Sequence, residues 1–168
     1  MVKLSREWEA LIKIEIGGGN LLTPSYINLD PVHGLGLWKR YAQDTPWPTG
    51  NNTVDNLRAS HVLEHIPAGM DHRVKVMNEA HRVLKPGGTF EIILPLVMVN
   101  NQWVQGWWAI ADPTHVSLWA YPESFLYFCD GAFRANANYG IRYWDALDES
   151  KCKVVNGWEG HVVLTKPV

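Results

Sequence analysis

The chain has 168 residues, which is enough for one domain with a substantial hydrophobic core but too few for a separate substrate domain. Hydrophobic residues make up 46% and charged residues 19%, which is typical of a folded protein and excludes extended disorder. The 15 Lys and Arg residues nearly balance the 17 Asp and Glu residues, so no strong positive field would attract a polyanion. We therefore expect a single domain over residues 1–168 and disfavour a nucleic acid as partner.

The N-terminal sequence MVKLSREWEALIK interrupts its apolar residues with Arg6, Glu7 and Glu9. No later apolar run approaches the ~20 residues of a membrane-spanning helix. We therefore expect a cytoplasmic protein that does not enter the membrane. Cys129 and Cys152 form no CxxC pair, so neither a disulfide framework nor a zinc site built on cysteines is indicated.

Short apolar runs that end in glycine or polar residues dominate the first third of the chain. They predict strands over four segments, namely Leu11–Ile16, Tyr26–Leu29, Trp38–Ala42 and Val54–Ser60. The first run ends in Gly17-Gly18-Gly19, the second at Asp30, and the third is closed by Asp44.

The hydrophobic period changes after Pro67. From Val76 to Leu84 the apolar residues recur at i, i+1, i+4, i+7 and i+8, which predicts an amphipathic helix. Lys85-Pro86-Gly87-Gly88 would stop this helix, and Thr89–Leu94 is predicted as the next strand. This strand-helix-strand order predicts a parallel sheet with a right-handed crossover.

The C-terminal third has a different pattern. Ile141–Leu147 and His161–Thr165 are strand-like and are joined by a polar stretch that contains Asn156-Gly157. They predict an antiparallel pair at the edge of the sheet. The expected fold is therefore α/β, with a mostly parallel sheet, an antiparallel C-terminal edge pair and few helices.

Residues that follow the strands point to a cofactor site, because ligands of open parallel sheets bind beyond the carboxyl ends of the strands. Glycines at 17–19 allow positive φ angles and close approach to a ligand, although a plain loop would use them equally well. Asp30 can accept hydrogen bonds from both hydroxyls of a ribose, or it can serve as a turn residue before Pro31. A carboxylate or backbone group at Asp44 could meet an adenine amine.

The spacing of these residues favours one type of cofactor. Only ten residues separate Gly19 from Asp30, so no full helix fits between the first two strands. A dinucleotide such as NAD needs that helix, whose N-terminus binds the pyrophosphate. S-adenosylmethionine has no phosphate, so the missing helix favours it.

The segments KIEIGGGN, YINLDP, ASHVLEHIP and EAHRVLKPGG, in this order, resemble the class I S-adenosylmethionine-dependent methyltransferases of the broad methyltransferase domain group. DPTHVSLWAYPESF resembles a segment that follows the fifth strand in small members, including phage-encoded ones. The resemblance covers residues 11–128. It implies a Rossmann-like methyltransferase sandwich, S-adenosylmethionine as cofactor, and methyl transfer to an acceptor.

The resemblance also implies a set of cofactor-binding residues. Glu15 and the glycines would line the methionine end, Asp30 the ribose and residues 43–45 the adenine, while residues 60 and 61 would face the sulfonium and the substrate. The complete set is Glu15, Gly17, Gly18, Gly19, Asp30, Gln43, Asp44, Thr45, Ser60 and His61. The family's usual third glycine is replaced by Leu21.

Methyl transfer is an in-line displacement, so an enzyme mainly has to position the acceptor, and it needs a base only for a protonated nucleophile. The candidate catalytic residues are His61, His65 and His115, with Glu64 as a further base. His61, Glu64 and His65 would share one face if their segment opens a helix. A divalent metal could bind there, but we favour a polar cluster and assign no metal ligand.

His115 belongs to Asp112–His115, after the fifth predicted strand, in a region rich in tryptophan: Trp103, Trp107, Trp108 and Trp119. These rings could stack on a flat acceptor or a sugar, or could equally cover the core or a dimer contact. We expect a small-molecule or glycan acceptor, with a homodimer as an option. The alternative functions are a non-catalytic module that binds a nucleotide or S-adenosylmethionine, and an accessory phage protein that keeps only the fold.

Overall fold

The computed structural model describes residues 11–99, 102–105, 111–129 and 139–168. Seven strands of this part form one sheet, namely β1 (Lys13–Ile16), β2 (Ile27–Leu29), β3 (Val54–Ser60), β4 (Leu84–Val99), β5 (Gln102–Gln105), β6 (Cys152–Val155) and β7 (Glu159–Thr165). The α-helices of the described residues are α1 (Met70–Val83) and the short α2 (Glu123–Leu126). Single 3-10 turns occur at Gly36–Trp38, Leu63–His65 and Glu149–Lys151.

The strand order is β2-β1-β3-β4-β7-β6, and β5 pairs with the far end of β4. β2, β1, β3 and β4 are parallel, whereas β7 is antiparallel to both β4 and β6. Helix α1 makes the crossover from β3 to β4. The predicted α/β fold is therefore confirmed, including the antiparallel edge pair and, over the described residues 17–26, the missing helix between the first two strands.

One face of the sheet packs against helix α1 and forms the hydrophobic core. Ile14, Leu57 and Phe90 are at most 1% exposed and belong to one cluster with Met77 and Ala80 of α1. The stripe predicted for this helix is thus its buried face. The helix ends at Val83, Leu84 pairs with Val54 of β3, and residues 85–88 bulge out before Thr89 pairs with Asn56.

The opposite face of the sheet is polar. Glu15, Arg58 and Glu91 lie side by side on β1, β3 and β4. Arg58 forms an ion pair with Glu15, and its Nε donates to Glu91 Oε2 at 3.2 Å. Arg58 therefore belongs to the second, only partly covered face of β3, opposite the buried Leu57 and Ala59.

The strand predicted over Trp38–Ala42 is wrong. This segment consists of a 3-10 turn and further turns, and it contacts the edge strand through one bond, from Asp30 N to Trp38 O at 3.1 Å. The Arg40 side chain instead closes the loop by donating to Leu37 O at 2.7 Å and Pro46 O at 2.8 Å. Trp38 and Ala42 pack against the core without strand pairing, whereas Tyr41 is 59% exposed.

The first member of the predicted C-terminal pair is also wrong. The strand that pairs with β7 is β6, and the Asn156-Gly157 turn joins them with φ angles of +55° and +73°, as a tight hairpin requires. Ile141–Leu147 contains no strand of the described part beyond a single bridge at Trp144. Trp144 is fully buried, with its ring 5.3 Å from His81, so this segment fills the core instead of extending the sheet.

Large apolar side chains remain exposed near the β2 edge, where Leu21 is 84% exposed, Leu35 83% and Leu37 72%. A surface of this kind is compatible with a homodimer, which stays a prediction. Among the described helices, none combines the length and apolarity that crossing a membrane requires.

Candidate functional site

A cavity of about 370 Å³ opens at the carboxyl ends of β1, β2 and β3. This is the edge at which open α/β sheets bind their ligands. Its wall is formed by Ile16, Gly17, Leu29, Asp30, Pro31, Tyr41, Ala42, Gln43, His61, Val62, His65, Ile66 and Pro67.

The glycine loop after β1 is hydrogen-bonded to the end of β2. Gly17 N donates to Leu29 O at 2.7 Å, with φ at +66°. A Cβ on Gly17 would lie 2.6 Å from Val62 Cγ2, so only glycine fits this part of the wall. Gly18 N donates to Asn28 Oδ1 at 3.0 Å, which uses this amide inside the protein. The loop is therefore preformed, with Gly17 as its cavity-facing residue.

Asp30 lies at the end of β2 and is only 7% exposed. Its Oδ1 accepts from Val32 N at 2.8 Å and His33 N at 2.7 Å, and its Oδ2 accepts from Gly19 N at 3.1 Å. Burial alone would raise the pKa of Asp30, but these backbone N–H donors bring it below its ordinary value. An ionised carboxylate thus stands in the cavity wall.

Glu15 lies behind the loop instead of in the cavity wall. It is 3% exposed, forms an ion pair with Arg58, and accepts from Thr23 N through Oε2 at 3.1 Å. A buried carboxylate needs such partners. Glu15 therefore anchors the segment that connects the glycine loop to β2.

The predicted site residues fall into two groups. The cavity wall contains Gly17, Asp30, Gln43, His61 and His65. The residues outside the wall are Glu15, Gly18, Gly19, Asp44, Thr45, Ser60 and His115. Asp44, for example, uses Oδ2 to accept from Tyr41 N at 3.2 Å, which closes a turn.

His61 directly follows β3 and has a left-handed backbone, with φ at +55°. Its Nε2 lies 3.0 Å from Glu159 Oε1, and its Nδ1 lies 3.6 Å from Glu64 Oε1. The pKa of His61 is raised above its ordinary value, and Glu64 is the largest cause. Burial lowers this pKa, whereas Glu159 raises it further. A non-glycine residue in this backbone region is uncommon and is often found at functional sites.

His65 and His115 lie together although they are far apart in sequence. Their ring centroids are 4.6 Å apart, and His65 Nδ1 donates to Thr114 O at 3.2 Å. One ligand atom each from Glu64, His65 and His115 lie within 4.8 Å of one another, so these three residues could hold a metal ion.

The tryptophans of the predicted acceptor region differ in outcome. Trp119 is 1% exposed, donates from Nε1 to Leu63 O at 3.1 Å and stacks on Phe125, so it belongs to the core. Trp103 lies on β5, of which only the backbone is described. Trp107 and Trp108 lie outside the described residues.

Two residues beside His61 carry no sequence signal that places them in the site. Glu159 contacts its ring directly, and the Trp158 ring lies 5.6 Å away. Both follow the Asn156-Gly157 turn, which was recognised as a turn and not as part of a site. The residues of this turn do not indicate how β7 pairs with β4, and it is this pairing that brings the turn to the end of β3.

The sequence matches the family described as methyltransferase domain over residues 14–126. This chain belongs to that family. The match supports methyl transfer, with S-adenosylmethionine as the predicted cofactor. No protein with a curated function matches the sequence significantly.

Solved methyltransferases share the fold at low sequence identity. The S-adenosylmethionine-dependent methyltransferase SibL superposes with a TM-score of 0.54 at 16% identity, over 95% of this chain and 51% of SibL, so the chain spans about half of that protein. The 1,6-didemethyltoxoflavin-N1-methyltransferase of Burkholderia thailandensis gives 0.56 at 13% identity, over 94% and 71%. The 16S rRNA (adenine(1408)-N(1))-methyltransferase of Catenulisporales acidiphilia gives 0.55 at 13% identity, over 94% and 85%.

Two features of the cavity suit the cofactor that the sequence predicts. The wall at Gly17 has no room for a side chain, so the backbone itself can approach a ligand closely. The ionised Asp30 provides an acceptor for hydroxyl groups.

Proposed function

We propose that this methyltransferase uses the cavity at the ends of β1, β2 and β3 to transfer the methyl group to an oxygen or nitrogen atom of a small-molecule or glycan acceptor. The observation that carries the proposal is the shared cavity wall of Asp30 and His61, which follow β2 and β3 on either side of β1. One site thus contains a carboxylate that can accept hydrogen bonds from a ribose and an imidazole ring that can accept a proton.

We assign the cofactor to the part of the wall formed by residues 17–43. Gly17 would contact the methionine portion, Asp30 would accept from the ribose hydroxyls, and Gln43 would face the adenine with Tyr41 beside it. When bound, the cofactor supplies a methyl carbon activated by the adjacent sulfonium. The remaining predicted binding residues would shape the wall from outside it, namely Glu15, Gly18, Gly19, Asp44, Thr45 and Ser60.

We assign His61 to the nucleophilic group of the acceptor. Its ring forms part of the wall, with Glu159 Oε1 at 3.0 Å from Nε2 and Glu64 Oε1 at the longer distance of 3.6 Å from Nδ1. Carboxylates in these positions orient the ring and can balance the charge that it gains with a proton. His65 forms the neighbouring wall and would orient the acceptor, whereas His115 lies behind His65.

The charge of the chain supports a small or glycan acceptor over a polynucleotide. With 15 basic and 17 acidic residues, the protein has no excess positive charge to neutralise phosphates. Structural likeness does not narrow the choice, because the similar structures include both an rRNA methyltransferase and a small-molecule methyltransferase.

The first experiment measures cofactor binding by calorimetry and thermal shift with S-adenosylmethionine, S-adenosylhomocysteine, NAD and ATP. We expect stabilisation by the first two alone, because a ligand stabilises only a protein that binds it. Stabilisation by NAD or ATP alone would contradict the assignment of the cavity.

The second experiment follows methyl-labelled S-adenosylmethionine with panels of hydroxylated aromatics, amines, sugars and a short RNA. We expect label on a small molecule or sugar, and a loss of at least about a hundredfold in turnover for His61→Gln with cofactor binding retained. Label on RNA alone would contradict the acceptor class. Binding without transfer to any panel would favour the non-catalytic module.

A further inference from the structure

A separate group of side chains lies against one side of the cavity. Glu64 and His65 belong to the turn Leu63–His65, and His115 belongs to the loop that precedes α2. The two segments are joined through the backbone, because Glu64 O accepts from Val116 N at 2.9 Å and from Ser117 N at 3.0 Å. We call Glu64, His65 and His115 the Glu-His-His cluster.

The carboxylate of Glu64 is buried and has one long ion pair but no hydrogen bond among the described residues. Glu64 is 0% exposed, and neither of its carboxylate oxygens has a hydrogen-bond partner among the described residues. The nearest cationic group is His61 Nδ1, which lies 3.6 Å from Oε1 and is beyond hydrogen-bond distance. A buried carboxylate without donors is costly unless a cation compensates it.

The two histidines leave one nitrogen each for such a cation. His65 donates from Nδ1 to Thr114 O at 3.2 Å, which leaves the lone pair of Nε2. His115 points Nε2 toward Asp112 Oδ2 at 3.7 Å, while its buried Nδ1 has no partner in the part of the chain that the structure describes. A ring that gives one nitrogen to a carbonyl or carboxylate and keeps the other free is typical of metal-binding histidines.

We propose that the Glu-His-His cluster binds one divalent transition metal ion of the zinc type. The ligands are a carboxylate oxygen of Glu64, Nε2 of His65 and Nδ1 of His115. Two imidazoles and one carboxylate suit zinc and its neighbours in the first transition row better than magnesium, which prefers oxygen ligands. The proposal does not depend on the acceptor or on the transfer reaction.

The position of the cluster implies an open coordination site. Glu64 is buried, whereas His65 is exposed and also forms part of the cavity wall. Three protein ligands with one accessible side are characteristic of metal sites that also bind water or a substrate atom. His61 is not a ligand in this arrangement, because its Nε2 contacts Glu159.

Metal binding is tested with ZnCl₂ and CoCl₂ on the full chain after treatment with EDTA and gel filtration. We expect one ion per chain by calorimetry, visible absorption bands on cobalt addition, and a melting temperature that zinc raises. Glu64→Gln, His65→Gln and His115→Gln should each weaken zinc binding by at least about tenfold. MgCl₂ should give none of these signals.

Two histidine variants serve as controls. His33→Gln removes an exposed histidine and should leave zinc affinity within about twofold of the unsubstituted protein. His61→Gln should also retain zinc binding. If His61→Gln lost zinc binding while His115→Gln kept it, the proposal would be overturned. Wild-type zinc affinity in His115→Gln, or no binding by the unsubstituted protein, would overturn it as well. Circular dichroism of the metal-free variants checks the fold, and His115→Gln decides the case if Glu64→Gln does not fold.

Discussion

Glu159 Oε1 lies 3.0 Å from His61 Nε2, although 98 residues separate these two residues in the chain. The contact depends on two strand pairings. Ser60, at the end of β3, is in register with Ile93 of β4, and Ile93 is in register with His161 of β7. The hairpin that begins β7 is thereby brought to the edge of the cavity.

Replacing Glu159 by glutamine should lower the pKa of His61, because it removes one of the two carboxylates that raise it. Histidine NMR titration of the metal-free protein measures this pKa. Glu123→Gln, at an exposed position on α2, is the matched control. An unchanged His61 pKa in Glu159→Gln would show that the contact does not persist in solution.

The same substitution has a pH-dependent effect on stability. A raised pKa means that charged His61 stabilises the fold at acidic pH, and that this stabilisation is lost as the pH rises through the pKa in the folded protein. We expect Glu159→Gln to lower the free energy of unfolding by at most about 1 kcal/mol at pH 6 and by less at pH 9. Urea unfolding at the two pH values measures the difference, and a larger loss at pH 9 would contradict the sign.

Gly17→Ala and Gly19→Ala should differ although both glycines have positive φ angles. An alanine Cβ at position 17 meets Val62 Cγ2 at 2.6 Å, whereas at position 19 it meets nothing within 4 Å. We expect unfolding free energies to fall by about 3 kcal/mol for Gly17→Ala and about 1 kcal/mol for Gly19→Ala. Urea unfolding tests this, and Gly17→Ala/Val62→Ala should recover part of the loss. Equal losses for the two single variants would contradict the close approach.

Asp30→Asn and Asp44→Asn form a pair that tests cofactor binding. Both substitutions remove one carboxylate charge that accepts a backbone N–H, but only Asp30 forms part of the cavity wall. Calorimetry should show S-adenosylmethionine binding weakened by at least about tenfold in Asp30→Asn and by less than about threefold in Asp44→Asn. Equal weakening would support the adenine contact predicted for Asp44 from the sequence. Melting temperatures separate loss of binding from loss of folding.

His81 should make the protein less stable in acid. Burial is the main cause that lowers the pKa of His81 to about 4, helped by nearby Lys166. Between pH 6.5 and about 4 the unfolded chain therefore binds a proton that the folded chain does not, so stability falls as the pH falls. The slope from this one residue approaches about 1.4 kcal/mol per pH unit, and His81→Gln should remove it from urea unfolding curves. An identical pH slope in the variant would contradict the assignment.

Apolar runs identified the strands β1, β2 and β3, and the helical period of its buried face identified helix α1. Apolar runs also wrongly predicted strands over Trp38–Ala42 and Ile141–Leu147, which contain as many apolar residues as the true strands. Trp144 shows why: an apolar run predicts burial, but a core ring is buried without any strand partner.

The sequence also predicted Gly17, Asp30, Gln43, His61 and His65, which all form the cavity wall. Gly17, Asp30 and His61 directly follow strands, and the carboxyl ends of parallel strands meet at one edge. Gln43 follows a segment that is not a strand and was assigned from the family resemblance. The side chain of Asp44 turns away because it closes a local turn on Tyr41, which strand order does not reveal. The roles assigned to these residues in binding and catalysis stay predictions until the variants are measured.

The sequence by itself determined the places of β1, β2, β3 and helix α1 in the chain, the glycine loop, the carboxylate after β2 and the missing first helix. Each of these depends on residues that are neighbours in the chain or on the length of chain between two elements. Only the tertiary structure decided that Glu159 meets His61 and that His115 joins Glu64 and His65. These contacts depend on the register between β4 and β7 and on the return of the loop before α2, and no local pattern of residues encodes either one.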